Sequence, residues 1–359
     1  MRLRARGAWN GAGRRLSKEQ TDKRYDMVQV ISTTLQPSLC ATGESDPRQL
    51  RVGLYQMKWY EDAGNHLRQL HMGVAACAHA GAQIVFLPEL TLSRYPADKR
   101  PESSDDRQPE DIMTGPTVAF ARDAAGDNDV FVQVSLYEQV ERDDGLGFNT
   151  AVLVAPNGEI VAQTRKLHIP VTEGYFEDCY FANGPSDNPY PVHRISMDSA
   201  DVNVGLPTCW DEWFPEVARN YGLRGADLLC YPTAIGSEPD HPQFNTRPLW
   251  QSVIVGHAIA NGLFIAVPNR TGMEGLIQFY GGSFIADPFG RILAEAPENE
   301  EVALVAEIDL AHRQDWLQLF PFFATRRPDT YGKLTDPVTN HRQSDGQGSV
   351  GPIPGISVE

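Results

Sequence analysis

Between residues 149 and 165 two apolar, alternating segments flank Pro156-Asn157-Gly158, and this spacing reads as a β-hairpin. The hairpin is the feature that most restricts the fold, because its surroundings have a different rhythm. Residues 51–57 (RVGLYQM) alternate as a strand. Residues 63–80 then set Leu67, Leu70, Val74 and Ala78 at helical spacing, with Gly81 at a C′ position. Residues 83–87 (QIVFL) read as a buried strand ending in Pro88-Glu89. Further strands are expected at 130–137, 202–205, 227–231, 263–267, 279–287, 292–296 and 303–308. Helices are expected at 215–224, 247–261 and 310–319. Hairpins mixed with helical crossovers exclude a purely parallel barrel. They fit an α/β chain of packed sheets with helices outside.

The segments outside this pattern are of another kind. Residues 1–26 are rich in Arg and Lys and contain no apolar stretch, which excludes a secretory signal. A loose tail is expected there, with Met27 as an alternative start, and residues 41–49 read as linker. The division expected is an N-terminal extension over 1–49, a catalytic domain over 50–310, and a C-terminal helix and tail over 311–359. The final residues are rich in Pro, Gly and polar side chains.

The chain carries 31 Lys and Arg against 47 Asp and Glu, a net charge of −16, which argues against nucleic acid as a partner. No run approaches the roughly 20 apolar residues that span a bilayer, so no membrane role is expected. The cysteines at 40, 77, 179, 209 and 230 are odd in number and form no C-x-x-C, so metal-ligand spacing is absent and a reducing, cytoplasmic setting is expected.

Three chemistry-bearing residues stand where strands are expected to end. Glu89 follows QIVFLP, Lys166 follows EIVAQTR, and Cys209 follows VNVGLPT ahead of a helix. A thiol beside a cation can act as nucleophile. A carboxylate can take its proton and later activate water. An ammonium can stabilise an oxyanion. Taken singly, each also has a plain reading: a solvated carboxylate, a surface lysine, a small buried thiol. Composition and spacing do not separate these readings.

The local motifs do. LPEL (87–90), RKLHIP (165–170) and CWDEWFPEVAR (209–219) resemble the three signatures of the nitrilase superfamily of carbon–nitrogen hydrolases, in the family's order. The likeness runs over residues 51–331. YPTAIGSEP, GHAIAN and NRTGME bring it closest to the N-carbamoylputrescine amidase branch. The resemblance implies an α-β-β-α sandwich that pairs into a longer α-β-β-α-α-β-β-α assembly, hence a homodimer or larger oligomer. It implies no metal and no organic cofactor. It implies a triad of Glu89 as base, Lys166 as oxyanion stabiliser and Cys209 as nucleophile. A second glutamate that positions the lysine and substrate falls on Glu177.

For the substrate, Tyr95, Trp210, Glu212 and Glu274 are the candidate contacts. The expected reaction is hydrolysis of a ureido or amide C–N bond with release of ammonia, an N-carbamoyl amine such as N-carbamoylputrescine being favoured. The alternatives are an ω-amidase or aliphatic amidase, a carbamoyl amino acid hydrolase, a nitrilase, and a non-catalytic scaffold. The sequence departs from the branch at Asp178, where Lys is usual, at Glu212, where Gln is usual, and in FNTRPLW with Asn245 and Pro248. These positions bear on the substrate more than on the triad. Trp316, Leu317, Leu319, Phe320, Phe322 and Phe323 form a dense apolar run expected at a subunit interface.

Overall fold

The alternation of strand β2 (Gln49–Lys58) sorts its side chains into two different cores. Leu50, Val52 and Leu54 point into the layer between two sheets, while Tyr55 and Met57 point toward helices. The computed structural model describes residues 28–43 and 46–336. The basic N-terminal stretch through Met27, expected to be loose, and the tail from residue 337 lie outside the described residues.

With strands numbered in chain order, the first sheet contains β1 (Gln29–Thr33), β2, β3 (Ile84–Phe86), β4 (Phe131–Glu138), β5 (Phe148–Val154) and β6 (Ile160–Arg165). The second contains β7 (His193–Ser196), β8 (Asp201–Gly205), β9 (Leu228–Cys230), β10 (Phe264–Val267), β13 (Phe284–Ala286) and β14 (Ile292–Glu295). A hairpin of β11 (Arg270–Glu274) and β12 (Ile277–Tyr280) joins the first sheet through β2. The last strand, β15 (Val302–Asp309), runs antiparallel to β2 and parallel to β1, completing the order β1-β15-β2-β3-β4-β5-β6. Both sheets mix parallel and antiparallel pairs. The β5–β6 hairpin turns at Gly158, whose φ of +84° suits a residue without Cβ.

The helices cover the outer faces. On the first sheet lie α1 (Ala63–His79), capped by the Asp62 side chain and followed by Gly81 at φ +92°, and α2 (Pro116–Asn128). Leu70, Val74, Val118 and Ala121 pack there on Val85, Val132 and Val305. On the second lie α3 (Pro215–Leu223) and α4 (Arg247–Asn261), whose Val217, Tyr221, Trp250 and Ile254 pack on Leu229, Ile265 and Phe284. Between the sheets Leu54, Phe86 and Leu304 meet Val204, Cys230, Phe264 and Ile285. Each such side chain stabilises the fold by about 1.5–3 kcal/mol on burial. The layering is the α-β-β-α sandwich expected. Among the described residues no helix is long and apolar enough to cross a membrane.

Strand β1, within the N-terminal extension, forms an edge of the first sheet through pairing with Val302–Ala306. Helix α2 had drawn no reading from the sequence, having no clear apolar stripe in PTVAFARDAAGDN. The single strand expected over 279–287 is broken at Gly281 and Gly282, both at positive φ, where added Cβ atoms would strike Gln56 and Arg247. There the chain leaves the first sheet for the second.

Candidate active site

Strands β3 and β6 run in the same direction across the first sheet, so their C-terminal ends lie at one edge. Glu89 stands three residues past the end of β3, and Lys166 directly past the end of β6. The turn at Glu89 is tightly braced. Leu90 holds a φ of +50°, uncommon for a branched side chain. The Arg270 guanidinium donates to the carbonyls of Glu89, Leu90 and Ser93. Glu274 in turn accepts from Arg270 at 2.7 Å and from the Tyr95 amide at 2.8 Å. Glu274, expected at the substrate, is therefore committed to this brace and does not border the reactive cavity.

Lys166 is fully buried. Its ammonium donates to Glu89 Oε1 at 2.8 Å and to Glu177 Oε2 at 2.7 Å. Asn149 adds a third contact, donating to Glu89 Oε1 at 2.7 Å. Tyr95, also fully buried, donates its hydroxyl to Glu177 Oε1 at 2.8 Å. Tyr95 thus braces Glu177 and is not among the cavity-lining residues. Two atoms are conspicuous for what they lack. Glu89 Oε2 is buried without a hydrogen-bond partner among the described residues, and one of the three ammonium hydrogens of Lys166 is unspent.

The charges are unequal in their consequences. Burial pulls the Lys166 ammonium down, but Glu177, Glu89 and Cys209 together outweigh it and hold its pKa well above the ordinary value. Glu177 is pushed up to about 7, chiefly by burial, against the opposing charge of Lys166. The Cys209 thiol is raised well above its usual range, first by burial and then by Glu89, with Lys166 opposing. A thiol held up in this way calls for a base, the role expected of Glu89. Cys209 begins a 3-10 turn, Cys209–Trp213, ahead of α3, which starts at Pro215.

Cys209 itself has a φ of +44°, a left-handed backbone that costs about 1–3 kcal/mol for such a residue. Its amide donates to the Pro232 carbonyl at 3.1 Å. The turn is locked by the buried Asp211, whose carboxylate accepts from the amides of Thr208, Leu167 and His168 and contacts His168 Nδ1 at 2.7 Å. One side chain thus ties the segment bearing Lys166 to the segment bearing Cys209. His168 stacks on Phe214 at 3.8 Å, closing the same latch.

Above Cys209 opens a cavity of about 270 Å³. Glu177, Trp210, Trp213, Tyr175 and Glu238 line it, with the half-exposed Phe244 and Leu249 at its rim. Of the residues expected at the substrate, Trp210 lies on this wall and Glu212 does not: it is fully buried and held by Trp250 and Thr233. Besides Glu177, the carboxylate that faces the cavity is Glu238, raised by burial, with the Thr246 hydroxyl 3.3 Å away. No Lys or Arg lines this cavity. A larger one of about 650 Å³, bordered by Trp59, His66, Leu92 and Lys99, touches none of Glu89, Lys166 and Cys209.

Asn149, Asp211, Tyr175 and Glu238 had drawn no assignment from the sequence. Only Asp211 carried a local signal, three residues after Thr208 in capping-box spacing. The others are brought in by tertiary packing. A thiol, a carboxylate oxygen without a partner and an unspent ammonium hydrogen, close enough that Glu89 and Lys166 act electrostatically on Cys209, can support addition of sulfur to a carbonyl carbon.

The profile of the family described as Carbon-nitrogen hydrolase matches residues 51–318. The chain is 33% identical to a citrullinase from Francisella tularensis subsp. tularensis over 289 residues, 79% of this chain and 98% of that protein. It is also 33% identical to an N-carbamoylputrescine amidase from Arabidopsis thaliana over 299 residues, 81% of this chain and 97% of that one. Among solved structures, a carbon-nitrogen hydrolase from Helicobacter pylori superposes with a TM-score of 0.69 at 31% identity, covering 80% of this chain and 99% of that one. An amidase from Nesterenkonia sp., with the acetamide moiety of fluoroacetamide added at its active-site cysteine, superposes with a TM-score of 0.59 at 25% identity, covering 82% and 98%.

Proposed function

The chain belongs to the carbon-nitrogen hydrolase family, and from that premise we propose that it cleaves the ureido group of an N-carbamoyl amine ending in a free ammonium, of the N-carbamoylputrescine type. It is a hydrolase of C–N bonds other than peptide bonds. The substrate reading rests on one observation: the half-buried carboxylate of Glu238 lines the cavity at Cys209, and among the described residues no Lys or Arg lines it alongside. Both named relatives take their names from ureido compounds, citrulline and N-carbamoylputrescine. Citrulline carries a carboxylate as well as an ammonium, and that carboxylate finds no counter-charge here. A single ammonium does.

The chemistry follows from the unspent atoms. Cys209 adds its sulfur to the ureido carbon while Glu89 Oε2 takes the thiol proton. The free N–H of Lys166 meets the oxyanion. The proton on Glu89 passes to the departing nitrogen, ammonia leaves, and a thiocarbamate remains on the cysteine. Glu89 then takes a proton from water, whose oxygen attacks the same carbon. The thiol re-forms and the released carbamic acid loses carbon dioxide to give the amine. Glu177 and Asn149 hold Lys166 and Glu89 in register through both halves. The covalent adduct at the cysteine of the Nesterenkonia amidase supports the first step by likeness.

The test compares kcat/KM for N-carbamoylputrescine, citrulline, N-carbamoyl-β-alanine and a neutral alkylurea. The first is expected to be the best substrate, and Glu238→Gln to lower it by roughly 10- to 100-fold, the worth of a charge-assisted hydrogen bond. The neutral urea is expected to be indifferent to that change. A neutral or anionic compound winning by more than about tenfold overturns the substrate reading and leaves the cysteine mechanism standing. We also propose a homodimer or larger assembly through the aromatic patch of Trp316, Phe320 and Phe322, in which Leu319 and Phe320 are exposed. A monomer by light scattering would refute it.

A further inference from the structure

Glu212 is a buried carboxylate that the proposed chemistry leaves idle. It sits in the nucleophile's own turn, is fully buried, and forms no salt bridge with any described residue. Its Oε1 accepts from the Trp250 indole N–H at 2.7 Å. Its Oε2 lies 3.1 Å from the Thr233 hydroxyl oxygen. That hydroxyl has one proton, and 2.7 Å away stands the Tyr231 carbonyl oxygen, which can only accept. The shorter contact to an obligate acceptor claims the proton. Glu212 Oε2 then faces a lone pair, which repels a carboxylate and welcomes a carboxylic acid.

We propose that Glu212 is kept as a neutral acid in the working protein, donating its proton to Thr233, and that it acts as a positioning residue for the site. The resulting chain of bonds spends each donor once: Trp250 to Glu212, Glu212 to Thr233, Thr233 to the Tyr231 carbonyl. Thr233 also accepts the Glu89 amide at 3.4 Å through its own carbonyl. The relay therefore links α4 and the nucleophile turn to the backbone of the general base. Burial raises Glu212 well above the ordinary carboxylate range, with Trp250 and Thr233 opposing, in agreement. The charged and titratable groups that sense it are Glu89, Lys166, Cys209, Tyr231 and Tyr280. As a neutral group it leaves two carboxylates, Glu89 and Glu177, around one ammonium. Ionised, it would raise the Cys209 thiol further.

The decisive measurement is an infrared difference spectrum, full-length protein minus Glu212→Gln, taken about one pH unit above the Glu177 range. A protonated-carboxyl C=O band is expected in the unsubstituted protein and absent in the variant. No band there overturns the proposal. The unfolded chain releases this proton in the ordinary carboxylate range while the folded protein retains it, so folding stability falls as pH rises from that range toward the higher folded-state value. Glu212→Gln lacks this loss, and its stability relative to the unsubstituted protein should therefore grow with pH. A gap that shrinks with pH overturns the idea. Kinetically, Glu212→Ala and Glu212→Asp should lower kcat about tenfold or more with KM little changed, and Glu212→Gln should restore it to within about threefold. Asp rescuing where Gln does not would mean that a charge is required. The kinetic arm alone rests on the hydrolase reading, and the infrared arm does not, so the two can fail separately.

Discussion

The floor and the mouth of the reactive cavity are built on opposite principles. At the floor, Glu89, Lys166, Glu177, Asn149 and Tyr95 are all buried and joined by hydrogen bonds between 2.7 and 2.8 Å. At the mouth, Trp210, Trp213 and Glu238 are half exposed, and Phe244 and Leu249 are half exposed to solvent with no polar commitments. The floor is over-determined: each charge is fixed by two or more neighbours. The mouth is held by shape and by a single hydroxyl contact to Glu238. Chemistry common to many substrates needs the first arrangement, and selection among substrates can be altered cheaply in the second.

The contrast breaks if floor variants discriminate between substrates or mouth variants do not. The largest effect is expected from Cys209→Ala, which should reduce ammonia release by about 10⁴-fold or more for every ureido compound tried. Glu89→Gln and Lys166→Met should each lower kcat by about 10²–10³-fold, again without regard to substrate. Asp211→Asn removes acceptors from the latch between the Lys166 and Cys209 segments, and kcat should fall by up to about 100-fold through misplacement alone. Its KM should change little, since Asp211 is absent from the cavity wall. Glu238→Gln should act the other way round, on the ammonium-bearing substrate only. The smallest effect concerns stability. Glu177 keeps its proton up to about 7 in the folded protein, whereas the unfolded chain releases it near 4.5. The folded state then binds the extra proton between those values, so this group's contribution to stability is full below the lower value and is lost as pH rises to about 7. Glu177→Gln should flatten that part of the stability profile in denaturant titrations.

How the site reads from sequence follows the same division. Glu89 and Lys166 stand just past strands of the first sheet and Cys209 four residues past β8 of the second, and because those strand patterns are local the three positions drew attention together. The placement of Glu212 and Glu274 was not legible, because which way a carboxylate turns depends on partners far along the chain: Trp250 for one, and Tyr95, 179 positions earlier, for the other. Glu238 lies in an irregular segment after the β9 strand, where no periodicity marks the side that faces a cavity. In the fold, β2, α1, α4 and the β5–β6 hairpin were legible because their patterns and caps are local. Helix α2, rich in Ala and Asp, had too weak an apolar stripe, and β1, though rich in β-branched residues, was passed over as part of the N-terminal extension.

That first strand has a further consequence. β15 lies between β1 and β2 in the sheet, parallel to one and antiparallel to the other. Among the described residues, the two strands that leave the ribosome first are thus separated by the one that leaves it last. Neither can satisfy its facing backbone groups on the other without blocking the slot that Val302–Asp309 must fill. β2 keeps one open edge through most of synthesis, and the first sheet is completed only when the end of the domain has emerged. Contacts closed across such sequence separations form late and slowly. During that interval the growing chain is exposed to pairing with other chains along the same edge, a hazard that ends only when β15 slides in.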